Sequence, residues 1–285
     1  MATTLPTPSH QLPAQERAGA LRRHSNLCLE LALTSFKLKY TGSVLGYVWS
    51  LLKPLFLFGI TYFVFIYIFH VDGGANQGSE FGAQLLLGIV IWTFFAEATG
   101  ASIASIASSA GLIRKASFPR IVLVIAATLT ALLTFVINMT LVVVVTALLG
   151  HMHLGLRSLL APLFLVELYI MVLGIALLLS SMFVFYRDVG HLWEIFSQLL
   201  FYGSAVVFPV SILTGRILPR LIGINPVAQV IADLRHALVI DDPRVPWMAA
   251  YDGWVYLVPL GIVVAVTVVG FKVFSRLTPR FAEAL

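Results

Sequence analysis
The chain is predicted to be an all-α polytopic membrane protein. It should have six transmembrane helices, an N-terminal amphipathic interface helix, and a short helix dipping back between the fifth and sixth spans. Three observations predict this. Of 285 residues, 59% are hydrophobic and 11% charged, with a mean hydropathy of +0.96, whereas soluble domains carry about 25% charged residues. The apolar residues come in long blocks, and a helix needs about 20 of them to cross the hydrocarbon core. They do not alternate in the roughly 10-residue segments of a membrane β-barrel. Lys and Arg, finally, concentrate in alternate connections, which is the pattern that orients spans.

The elements follow in order. Residues 1–15 are polar and Pro-interrupted, with no early basic region leading into an apolar core. No cleavable signal is expected there, only a disordered cytoplasmic tail. Residues 16–40 read as the amphipathic interface helix. The transmembrane domain covers 41–274, with spans at about 48–69, 81–106, 121–149, 159–185, 195–213 and 254–274, and 275–285 is a cytoplasmic tail. Arg17, Arg22, Arg23, Lys37 and Lys39 precede the first span. Arg114, Lys115 and Arg120 lie between the second and third, Arg187 between the fourth and fifth, and Lys272, Arg276 and Arg280 near the end. The opposite side has no Lys or Arg between His70 and Glu80, and only Arg157 near the third-to-fourth turn. Both termini are therefore expected in the cytosol, in agreement with an even span count. This asymmetry accounts for the net charge of +5, and no nucleic-acid partner is expected. The one cysteine, Cys28, excludes an intrachain disulfide.

The outer stretch 214–253 departs from this pattern. Arg216, Arg220, Arg235 and Arg244 balance Asp233, Asp241, Asp242 and Asp252. Asn225-Pro226 reads as an N-cap followed by proline at the first helical position. Val227, Val230, Ile231, Leu234 and Leu238 then form one apolar helical face. The helix is too short to span, so it either dips into the outer leaflet, lies along it, or sits in an extracellular loop.

Catalytic signatures are absent. The sequence has no G-x-x-x-x-G-K-[ST] to cradle phosphates and no H-E-x-x-H or paired cysteines for zinc. His151-x-His153 lacks further ligands nearby. Ionisable residues inside spans are functional candidates. Lys53, before Pro54, either snorkels to the interface or stands near a pore entrance. Glu97 and Glu167 are too few for a proton relay, and each reads as a buried acid or a contact to another helix. The basic connection from Gly111 to Arg120, with Phe118 and Pro119, suits a rigid helix-turn docking into a partner's groove, or an ordinary topology-fixing loop. Aromatics crowd the span ends. Trp49, Tyr62, Phe63, Trp92, Phe95 and Tyr202 are candidates for lining a passage, since sugar rings stack on aromatic faces, while interfacial belts explain many such residues.

Four motifs together resemble a known family. They are the run from Phe36 to Leu55 (basic residues, two glycines, aromatics, then Lys53-Pro54), the stretch Leu112 to Arg120, the stretch Phe185 to His191, and Asn225-Pro226. In order and spacing they resemble the ABC-2 permeases of ABC transporters, and within them the branch exporting lipid-linked polysaccharides and polyol-phosphate polymers such as O-antigen, capsule and teichoic acid. The resemblance covers nearly everything after about residue 20. It implies a homodimeric channel in the inner or plasma membrane, driven by two separate ATP-binding cassette subunits that hold ATP and Mg. This chain would be no enzyme and would bind no cofactor. Leu112, Ile113, Arg114, Lys115, Phe118, Pro119, Arg120, Arg187 and Asp188 would contact the ATPase. Arg22, Arg23, Lys37, Lys39 and Lys53 would attract an anionic lipid headgroup, each worth about 1 kcal/mol near an anionic surface. Asn225, Pro226, Val230 and Leu234 would belong to re-entrant gate helices at the outer mouth. A permease for a drug or small lipophile is the alternative within the family, and a proton-coupled carrier the alternative outside it.

Overall fold
The structure is a computed structural model that describes residues 14–42, 45–68, 77–115, 118–148, 150, 155–208, 222–239 and 253–281, with side chains throughout except at 14–24, 77–79, 114–115 and 253–256. The expected tail at 1–13, the His151-x-His153 pair, most of the outer stretch (209–221 and 240–252) and the last four residues lie outside this set. Every regular element described is helical: α1 (Ala14–Tyr40), α2 (Val48–Phe63, continued by a π turn Val64–Ile68), α3 (Gln77–Ile103), α4 (Ser105–Ser108), α5 (Ala110–Lys115), α6 (Ile121–Leu148), a 3-10 turn Leu156–Leu160, α7 (Ala161–Phe183), α8 (Val189–Gly203), α9 (Pro226–Leu238) and α10 (Gly253–Leu277), closed by a 3-10 turn Thr278–Arg280.

Five helical stretches among the described residues are long and apolar enough to cross a membrane: Val48–Ile68, Glu80–Ile103, Ile121–Leu148, Leu156–Phe183 and Leu257–Arg280. They match the first four expected spans and the last. The expected span at 195–213 differs. Its helix, α8, has 15 residues and ends at Gly203, a length of about 22 Å against a hydrocarbon core of about 30 Å. The chain turns at Ser204 and passes Ala205 at φ 49.

Helix α3 is the axis of the subunit. Leu85, Leu86, Leu87, Ile89, Ile91 and Phe95 are fully buried, so its apolar residues run right round the helix, as burial on all sides requires. Its C-terminal end bends. The hydroxyls of Thr99, Ser102 and Ser105 donate to the carbonyls of Phe95, Thr99 and Ser102 at 2.8, 2.6 and 2.7 Å, a back-bonding that bends helices. Helical geometry lapses at Ala104 before α4 and α5 resume. The span predicted to reach 106 therefore breaks just after 103.

Helices α7 and α10 meet backbone to backbone. A Cβ on Gly174 would stand 2.6 Å from the Thr267 Cα, and one on Gly270 would collide with the Gly174 carbonyl oxygen. Small residues at such crossings replace the hydrophobic drive that lipid cannot supply. Helix α1 runs beside the opening turns of α6. The Cys28 thiol lies 3.9 Å from the Val122 carbonyl oxygen, and the Thr130 hydroxyl donates to the Ala32 carbonyl at 3.2 Å. Leu29, Leu33 and Leu38 stay exposed on its other side.

Candidate coupling face and passage wall
At one end of the bundle, residues from α4 to α7 and from α10 form a single apolar knot. Ile106, Val124, Ala176, Leu177, Phe274 and Phe281 are its buried members, with Ile113, Ile121, Val184 and Leu277 against them. The two segments expected to meet an ATPase project from this knot. Leu112, Pro119, Arg187 and Asp188 are exposed, Ile113 and Phe118 half-buried, and Arg114 and Lys115 lie on α5. Arg120 is held inside the subunit. Its guanidinium donates to the Thr278 carbonyl and lies 5.8 Å from the centre of the Phe281 ring. Arg120 is half-buried, and its guanidinium is engaged within the subunit.

Helix α8 runs antiparallel to α3. Val189 starts it beside Ile103, the Trp193 indole donates to the Thr99 hydroxyl at 3.2 Å, and Phe201 packs edge-on to Trp92 at 5.4 Å. The face turned away from α3 carries Leu192, Ile195, Phe196, Leu199 and Tyr202, all exposed. His191, Glu194 and Gln198 are exposed along it as well. These three stand at i, i+3 and i+7 and so form one stripe. Gln198 lies between the Trp193 and Phe201 anchors and is therefore abreast of the middle of α3. Lipid tails cannot satisfy an amide or a carboxylate at that depth, so such groups face protein or water. The spacing of this stripe is visible in the sequence, but nothing local marks it off from the apolar residues around it.

The six aromatics proposed for the passage divide. Trp49, Phe63 and Tyr202 are exposed on α2 and α8. Tyr62 packs half-buried over Gly82. Phe95 is 0% and Trp92 7% exposed, packed among Trp193 and Phe201. These two are core residues of the subunit, because α8 covers them.

Helix α9 forms with the predicted cap. The Asn225 side chain accepts from the Val227 amide at 3.0 Å and Pro226 occupies the first turn. It is buried on all sides instead of lying along a surface. Val230 and Leu234 are in the core, and so are Gln229, Asp233, Arg235 and His236. Arg235 explains why a polar face is tolerated there. Its Nε donates to the Gln84 carbonyl at 3.0 Å, Nη1 to Ala205 at 3.1 Å and Nη2 to Val206 at 2.7 Å. The cation thus satisfies carbonyls just beyond the negative end of α8. Burial pushes the guanidinium down to about 10, which leaves it charged at neutral pH. Gly88 makes the room, since a Cβ there would stand 2.6 Å from Nη2. The Asn225 amide donates to Ser204 Oγ at 2.8 Å and ties the same turn to α9. Nothing in the sequence pattern separated Arg235 from its balanced neighbours.

Among the basic residues proposed to attract a headgroup, Lys37 and Lys53 are exposed, and Arg22 and Arg23 lie on α1. Lys39 pairs with Glu97, which also accepts from Thr134 at 3.3 Å. Burial opposes the Lys39 charge, but the hydrogen bond and charge of Glu97 outweigh it and hold the ammonium above its ordinary value. Glu97 is thus the contact between helices that one reading of the sequence expected. Among the described residues no group of three His, Cys, Asp or Glu side chains is placed to hold a metal ion.

Comparison with known proteins fits this layout. The chain is 27% identical over 260 residues, 91% of its length and 95% of the relative's, to an O-antigen export system permease protein RfbA of Klebsiella pneumoniae. It is 24% identical over 270 residues, 93% of its length and 97% of the relative's, to an O-antigen export system permease protein RfbA of Myxococcus xanthus. The ABC-2 type transporter family profile matches residues 26–239. The chain therefore belongs to the ABC-2 type transporter family, as a multi-pass membrane subunit of an ABC transporter that works with an ATPase partner.

Proposed function
We propose that this chain is the permease of an exporter that carries a lipid-linked polysaccharide across the inner or plasma membrane. Two copies enclose the passage, and two separate ATPase subunits, which hold ATP and Mg, dock below it. The observation that carries the reading is the polar stripe His191, Glu194 and Gln198 on the open face of α8, interleaved with Leu199 and Tyr202. A passage for a glycan needs both features: hydrogen-bonding groups for hydroxyls and flat apolar faces for sugar rings. The cargo class follows from the relatives, which are O-antigen export permeases similar along nearly their whole length.

In this reading α8 and the turn that follows it at 204–206 make the sixth crossing, and both termini lie in the cytosol. The end carrying Arg120, Arg187, Lys272, Arg276 and Arg280 then faces the cytosol, as the positive-inside rule requires. Turn 204–206 and α9 make the outer mouth. Leu112 and the exposed segment Tyr186–Asp188 present the docking surface. Lys37 and Lys53 remain open to an anionic headgroup, while Lys39 is engaged by Glu97.

The test is to deplete the chain in its native cell and to purify it tagged from the membrane. Loss of surface glycan, together with recovery of an ATP-hydrolysing subunit, is expected. Intact surface glycan with loss of resistance to a lipophilic compound would assign the passage to small molecules instead. Transport by the purified chain alone in liposomes would contradict an ATP-driven permease.

A further inference from the structure
Phe281 follows the last 3-10 turn and is 0% exposed. Its ring packs edge-on to Phe274 at 5.8 Å and against Phe185 at 6.0 Å. The Arg120 guanidinium lies 5.8 Å from its centre and donates to the carbonyl of Thr278, one turn away. The Thr278 hydroxyl in turn donates to the Phe274 carbonyl at 2.6 Å, which fixes the bend from α10 into the last 3-10 turn. Three pieces of chain far apart in sequence therefore close on one ring: the segment after α5, the turn after α7, and the end of α10. The first two flank the exposed surfaces at Leu112 and Tyr186. Ile113 of α5 and Val184 of the α7 turn pack into the same knot.

We infer that Arg120 and Phe281 form a keystone that fuses the two docking segments and the end of α10 into one rigid piece, so that a push on either segment moves α10, and through its glycine seam α7, as a unit. The inference rests on the ABC-permease reading of those segments. Phe281 is buried and the Arg120 guanidinium is engaged within the subunit, so both act as positioning residues. Flexible segments would absorb a displacement locally. A packed knot with a charged donor on a helix-end carbonyl transmits it, because packed cores deform little and the Arg120 donor adds a charge-assisted bond to a Thr278 oxygen that already accepts the Phe281 amide.

The experiment uses the full chain co-expressed with its ATPase and reconstituted together, and reads cargo exported per ATP hydrolysed, ATPase recovered by pull-down, and the unfolding midpoint. In Phe281→Ala and Arg120→Met, export per ATP is expected to fall by roughly threefold or more, the scale of residues that carry coupling, while ATPase recovery stays at the wild-type level. Phe281→Leu and Arg120→Lys, which keep bulk and charge respectively, are expected to recover most of the ratio. Should Phe281→Ala fail to accumulate, Arg120→Met carries the test, since it keeps the stem over the ring and removes the donor. Wild-type export per ATP in Arg120→Met would overturn the keystone and leave the permease reading standing. A wild-type chain that recovers no ATPase would overturn both.

Discussion

Helices α8 and α10 both present bare faces in the subunit, and the two faces differ in kind. From Leu257 to Phe271 the open side of α10 is Leu257, Val258, Leu260, Val264, Val268, Val269 and Phe271, with no charged or amide side chain anywhere in that stretch. The open side of α8 has comparable leucines and aromatics but threads His191, Glu194 and Gln198 between them. Exposure in a membrane subunit therefore has two meanings. An unbroken aliphatic face is solvated by lipid. A face that carries an amide such as Gln198 well inside the span needs water or a second protein surface. How each helix is held differs in the same sense. The backbone seam at Gly174 and Gly270 fixes α10, whereas the C-terminal end of α8 is held by side chains of α9, the buried Arg235 cation and the Asn225 amide.

That cation gives the largest expected effect. Arg235→Met removes the donor from the buried Ala205 and Val206 carbonyls, at about 1–3 kcal/mol each. Loss of the folded subunit is expected, read as a collapse of the unfolding midpoint in detergent. Arg235→Lys should be nearly as damaging, because a single ammonium cannot reproduce the planar fork. Tolerance of both would mean that α8 is fixed elsewhere.

A charge scan contrasts the two faces directly. Val264→Lys places an ammonium among lipid tails near the centre of α10, at about 2.5–3.5 kcal/mol, so its level in membranes should fall sharply. Gln198→Lys, on the polar stripe, is expected to accumulate normally. Equal losses at the two positions would erase the distinction between the faces.

The smallest effect is a pH dependence at the joint between α9 and the turn before α7. Burial first, then the charges of Arg157 and Arg235, hold the His236 imidazole below its ordinary 6.5. The folded state thus prefers the neutral ring, while the unfolded chain takes up a proton from about 6.5 downward. This contribution is complete above that value and is lost as pH falls through the window beneath it. The unfolding midpoint should decline between pH 7 and 5 in the wild type, and the slope should shrink in His236→Gln. An unchanged slope would show that other groups govern acid stability.

Much of this architecture was legible from residues alone, for reasons that differ by element. The long spans announce themselves because lipid accepts only long apolar helices. The start of α9 was legible because Asn225-Pro226 is a local signal, fixed by one side chain and one ring. Its surroundings were not legible. Gln229, Asp233 and Arg235 look like a solvated face, and their burial depends on carbonyls of Gln84, Ala205 and Val206 that no local pattern brings near. The contacts of Arg120 were illegible in the same way, since no local pattern brings its guanidinium to the Thr278 carbonyl and the Phe281 ring. Phe95 and Trp92 show a third limit. Aromatic density locates the region of a passage, but which rings face it depends on how α8 lies over α3.

The most direct test of a passage along α8 is thiol labelling in membrane vesicles, with the permease and its ATPase co-expressed and Cys28 replaced by serine. Gln198→Cys and Val264→Cys are compared using a charged, water-soluble thiol reagent. Rapid modification at position 198 and almost none at 264 is the expected result. Protection at 198 equal to that at 264 would place both helices in lipid and contradict the account.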